Sequence, residues 1–127
     1  MIKLAELNKR NYPTDGIIRS NLQVLCERLN KVRKAWGKPM IVTSGLRSQK
    51  QQEELIKAGK SNAPKSAHLV GMAADIADPD GELAAWLLKN VHILEEAQLW
   101  AEDPQYTPGW IHLQCRPPRS GRRFFIP

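Results

Sequence analysis

Apolar residues recur at Ile18, Leu22, Leu25, Leu29, Val32 and Trp36, in alternating steps of four and three. That spacing holds them on one stripe and predicts a helix over residues 14–36. Thr14 or Asp15 can cap its start, and Gly37, Lys38 and Pro39 stop it. Cys26 lies beside Leu22 and Leu29 on the stripe and reads as a small core residue. Residues 40–44, MIVTS, read as a short strand entering the loop GLRS. Ser48 opens a second helix, SQKQQEELIKA, with Gln51 completing a capping-box pattern and Gly59 ending it.

The polar, proline-containing segment 60–66, KSNAPKS, reads as a loop, and 72–77, MAADIA, as a strand. DPDG is a turn in which Asp80 can cap a third helix, ELAAWLLKN. VHIL, AQLWAE and WIHLQC supply the remaining strand candidates. The carboxy-terminal stretch 116–127, RPPRSGRRFFIP, is too rich in proline and arginine for a regular element, and reads as an extended basic arm on the surface. Helices that precede and interrupt a sheet of largely later strands give the α+β class.

Composition narrows this further. A chain of 127 residues forms one domain, large enough to bury a core without staples. Its 42% hydrophobic and 25% charged content is ordinary for a soluble protein. The start of the chain shows no sustained apolar run of the signal-peptide kind, and LAAWLL is far shorter than the roughly 20 residues a membrane span requires. Synthesis in the cytoplasm is therefore expected, with release by some other route if the protein works outside. Cys26 and Cys115 are no disulfide framework. The net charge of +6 favours anionic partners: nucleic acid, teichoic acid or cell-wall carboxylates.

The chemistry is concentrated in SAHLVGMAADIAD, residues 66–78. On a helix, His68 and Asp75 would be separated by seven steps of about 1.5 Å, roughly 10.5 Å of backbone. That is too far for two donors each about 2 Å from one zinc. A turn followed by a strand works better. His68 sits on the turn, Gly71 permits the bend, and period two places Asp75 between the small Ala73 and Ala77, which leave room for another group. WIHLQC supplies a possible third ligand. Trp110, His112 and Gln114 share one face of that strand, while Ile111, Leu113 and Cys115 share the core face. His92, in VHIL, has no motif around it and reads as structural. A His, Asp, His set with one position left open is the pattern of a catalytic zinc site. Such an ion brings bound water to a pKa of about 7 and polarises a carbonyl under attack; a nearby carboxylate must then take the proton.

The series Ser66, His68, Gly71, Ala73 and Asp75, followed by Trp110 and His112, resembles the zinc D-Ala-D-Ala carboxypeptidase family. That family includes D,D-carboxypeptidases, vancomycin-resistance dipeptidases and phage L-alanyl-D-glutamate endopeptidases, which act on peptidoglycan peptides or their precursors. Upstream, SGLRS at 44–48 is similar to the family segment whose arginine binds substrate, here Arg47. The matched span runs from about residue 40 to 115. The resemblance implies a hedgehog-like fold, a small mainly antiparallel sheet with helices on one side and the zinc at the sheet. It implies one Zn2+ per chain on His68, Asp75 and His112, with Arg47 as a substrate contact. Ser66 can bond the substrate backbone or equally cap its own loop, and Trp110 is a further candidate substrate contact. Many members carry an acidic general base three residues before the last histidine, where this chain has Gly109. Glu102 is the first candidate to replace it and Asp103 the second.

These features together predict a monomeric zinc peptidase hydrolysing peptidoglycan stem peptides, at either the D-Ala-D-Ala or the L-Ala-D-Glu bond. The compact form without a separate wall-binding part fits a phage or prophage lytic enzyme, reaching the wall after release or as part of a virion. The competing class is a non-catalytic, zinc-containing wall-binding or virion structural module of the same fold, motivated by the displaced acid. A nucleic-acid partner is disfavoured. Arg116, Arg119, Arg122 and Arg123 have no aromatic groove or reading helix beside them, and suit wall attachment or plain solvation.

Overall fold

The computed structural model describes residues 1–61 and 65–127. The loop expected over 60–66 thus falls partly outside the described residues, at Asn62, Ala63 and Pro64. Among the described residues four α-helices, α1 (Gly16–Trp36), α2 (Gln49–Lys57), α3 (Glu82–Lys89) and α4 (Val91–Ala97), accompany a five-stranded sheet. Its strands are β1 (Val42–Ser44), β2 (Ala73–Ala77), β3 (Trp100–Glu102), β4 (Trp110–Gln114) and β5 (Phe124–Phe125), in the spatial order β1-β2-β4-β3-β5.

The helix ends follow the expected side chains. Asp15 accepts from the Ile18 backbone N–H at the start of α1, and Gly37 closes it in the left-handed conformation. Ser48 accepts from Gln51 N to start α2. The stripe of α1 buries Leu22, Leu25, Leu29 and Val32. These pack in one core with Ala74 and Ile76 of β2, Ile111 and Leu113 of β4, and Leu87 and Leu94 of α3 and α4. Alternation along β2 and β4 therefore puts apolar side chains on the helix side of the sheet and polar ones on the other.

Four expectations need correction. VHIL is not a strand. Residues 91–97 form α4, with Leu94 and Ala97 buried one helical turn apart and Glu95 and Glu96 turned to solvent. The β-branched opening misled because packing against α1 overrides propensity. As a result the strand expected from AQLWAE shrinks to Trp100–Glu102. Asp80 does not cap α3. Gly81 occupies the cap position, and the buried Asp78 reaches across the turn to accept from Leu83 N at 3.0 Å and Ala84 N at 2.9 Å. Finally, the arm is not wholly irregular. Phe124 and Phe125 pair in parallel with β3, whereas the other pairings are antiparallel, so the sheet is mixed. Aromatic residues suit a half-buried strand whatever precedes them, and the arm's prolines, at 117, 118 and 127, all lie outside it. Among the described residues no helix is long and apolar enough to cross a membrane.

Candidate metal centre

β2 and β4 run antiparallel with Asp75 opposite His112, so both side chains rise on the same face of the sheet, opposite the core face. His68 arrives from a 3-10 turn, Ala67–Val70, that ends on left-handed Gly71 and leads straight into β2. A Cβ at Gly71 would meet Leu22 and the Ile18 carbonyl of α1, so the bend suits glycine on both conformational and steric grounds. His68, Asp75 and His112 are all buried, and each offers a ligand atom within 4.8 Å of the others.

Hydrogen bonds settle which ring nitrogens face inward. His68 Nδ1 lies 2.8 Å from the Gly45 carbonyl, which can only accept, so Nδ1 carries the proton. Nε2 is then a lone pair, buried with no hydrogen-bond partner and 3.3 Å from Asp75 Oδ1. Gln114 Nε2 donates to the Arg116 carbonyl at 2.7 Å, which turns Gln114 Oε1 toward His112 Nε2, also at 2.7 Å. His112 Nε2 therefore donates, and its Nδ1 points at Asp75 Oδ1 from 3.0 Å. Burial pushes His68 down toward its neutral form. Burial also acts to lower His112, but Asp75 overcomes it and raises this group. Asp75 itself is pushed up by burial, yet His68 and His112 together hold it well below the usual carboxylate range.

An orphaned lone pair facing a carboxylate is unfavourable unless a positive centre lies between them. Two imidazole nitrogens and a carboxylate oxygen converging in this way could hold a metal ion, and the donor set suits zinc. Each histidine's outer N–H is oriented by a carbonyl-type acceptor, the usual support of a ligating imidazole. The cluster opens on a cleft of about 380 Å3.

The other sequence candidates take distinct places. Arg47 donates through Nε to Ser44 Oγ (3.1 Å), Nη1 to Gln52 Oε1 (3.1 Å) and Nη2 to Asp75 Oδ2 (3.0 Å). Burial lowers its pKa, against the opposing pull of Asp75 and Glu102. Ser66 Oγ accepts from the His68 backbone N–H at 3.2 Å, and Ser66 and Trp110 both line the cleft. Glu102, at the end of β3, also lines it, with Oε1 3.9 Å from His112 Nε2 and its pKa raised by burial. Asp103 instead caps the turn Pro104–Tyr106, accepting from Gln105 N. His92 is exposed on α4, and Cys115 belongs to the core.

Three participants have no counterpart in the sequence reading. Gln52 is fully buried and braces Arg47 from α2. Its only signal was a polar residue one turn after a capped helix start. Gly45 contributes through its backbone, which no residue type announces. Phe125 brings its ring to 6.3 Å from that of His112, edge on.

A sequence profile of the peptidase M15 family matches residues 1–113. No curated protein matches the chain. Among solved structures it is similar to the Serratia marcescens L-Ala D-Glu endopeptidase ChiX, with a TM-score of 0.59 and 21% identity, over 91% of this chain and 99% of that one. At that identity the likeness is one of fold. The profile carries the assignment, and this chain belongs to the peptidase M15 family.

Proposed function

We propose that the protein is a zinc peptidase that hydrolyses the L-Ala-D-Glu bond of peptidoglycan stem peptides, in a cell-wall lytic role. The observation that carries this is the buried His68, Asp75 and His112 cluster opening on a cleft that also holds Glu102. The bond is suggested by the Serratia endopeptidase of similar fold.

His68 Nε2, Asp75 Oδ1 and His112 Nδ1 would hold the ion. Zinc bound there supplies Lewis acidity toward the attacking water and the scissile carbonyl. Glu102 takes the proton of the attacking water and returns it to the departing amine; its partly buried carboxylate, with a raised proton affinity, suits both transfers. Arg47 fixes Asp75 through one N–H of Nη2, and each terminal guanidinium nitrogen has a second N–H, so the same group can also face a substrate carboxylate or developing oxyanion. Trp110 supplies an aromatic side to the cleft.

Digestion of purified sacculi, with and without chelator, tests this by mass spectrometry of the released muropeptides. Fragments cut between L-Ala and D-Glu, abolished by chelator and restored by zinc, are expected. Fragments lacking only a terminal D-Ala would move the assignment to a carboxypeptidase. Zinc binding without any release would favour the wall-binding module suggested by Gly109.

A further inference from the structure

The carboxy-terminal arm lies outside the span that the family profile matches, residues 1–113. In the sheet order β5 occupies the edge opposite β1, next to the strand that carries Glu102. It is anchored from several directions. Ala101 N donates to Arg123 O at 2.8 Å and Asp103 N to Phe125 O at 2.7 Å. The Arg123 guanidinium stacks 4.4 Å from the Trp100 ring centroid and donates to the Leu99 carbonyl at 3.0 Å. Beyond these anchors Phe125 is buried against the His112 ring. Ile126 lines the cleft yet stays 64% exposed, an apolar side chain held at its mouth.

From this geometry we propose that Phe125 and Ile126 form an apolar substrate-binding wall, which takes a small aliphatic side chain of the peptide lying over His112 and Glu102. The proposal rests on the peptidase reading and adds the contact on this side of the cleft. A peptide lying in the cleft would meet this wall and also the cationic Lys65 and Arg116, which line the same cleft. An exposed isoleucine gains when a ligand covers it, whereas Phe125 is already packed and sets the wall's depth.

The test uses the zinc-loaded full chain and a stem peptide in two forms, intact and with its L-Ala-D-Glu amide reduced to an uncleavable methylene-amine. Ile126→Ser is expected to bind the reduced peptide about 10-fold more weakly by calorimetry, the usual worth of one small apolar contact. It should raise KM for the intact peptide similarly, with kcat, zinc content and thermal midpoint unchanged. Ile126→Leu should restore both values. Wild-type affinity and KM in Ile126→Ser would overturn the wall and leave the peptidase reading standing. Binding that depends on Ile126, without cleavage by the wild type, would overturn the peptidase reading and keep the wall. A wild type that neither binds nor cleaves would overturn both.

Discussion

Arg47 Nη2 stands 3.0 Å from Asp75 Oδ2, while Oδ1 of the same carboxylate faces both histidines. One oxygen is thus committed to a fixed cation, which leaves the other to serve the proposed metal centre. A lysine at 47 would keep the charge but could not donate at once to Ser44, Gln52 and Asp75. Arg47→Lys is therefore expected to lower zinc affinity about 10- to 100-fold, as loss of an outer partner of a metal ligand does. Competition with a chromophoric chelator measures it.

Alanine substitution separates His112 from His92. His112→Ala should leave a folded protein without stoichiometric zinc, as determined by elemental analysis after gel filtration. His92→Ala should keep one zinc per chain, because that side chain is exposed on α4. Full zinc content in His112→Ala would remove the proposed centre.

Glu102 offers two independent readouts. Glu102→Gln should bind zinc normally and lose about 100- to 10,000-fold in turnover, the range for a positioned proton carrier. Asp103→Asn should cost little, since the Asp103 side chain caps the turn after β3 by accepting from Gln105.

The second readout is stability without metal. Burial raises the Glu102 pKa in the folded chain, so the fold favours its protonated form. The stability this allows is complete below the unfolded pKa and lost as pH rises through the folded one. Metal-free Glu102→Gln should consequently show a higher urea midpoint than wild type at pH 7, with the gap closing below about pH 4, near the usual carboxylate range.

The arm's arginines should behave differently from one another. Arg119 and Arg122 are exposed, and their replacement by glutamine should weaken attachment to sacculi at low salt, with the difference fading as screening increases. Cleavage of a soluble peptide should hardly change. Arg123 is half-buried on Trp100, and Arg123→Gln should impair the soluble reaction as well. Equal effects of the exposed pair on both substrates would place those residues in the cleft.

Much of this site was legible because alternation reports faces directly. Period two separated His112 from Ile111 and Leu113, and the small residues around Asp75 marked where another group approaches. Position in space was harder. Nothing local in VHIL distinguishes a strand from a helix whose burial depends on α1. Gln52 and Phe125 reach the cluster only through tertiary contacts with Arg47 and β3. Glu102 and Asp103 are separated by one position at the end of β3, which decides that the first lines the cleft and the second caps the following turn.

The loop that aims His68 is itself set against the first residues of the chain. A Cβ on Gly45 would overlap the Leu7 carbonyl, and Leu46 N donates to that same carbonyl at 2.8 Å. Gly45 in turn holds His68 Nδ1. The short turn Leu4–Asn8, which carries no chemistry of its own, is the backstop for the imidazole's aim. Trimming this turn, or pulling on it with a bulky fusion, would detune the proposed centre from directly behind the His68 loop while leaving His68, Asp75 and His112 in the sequence.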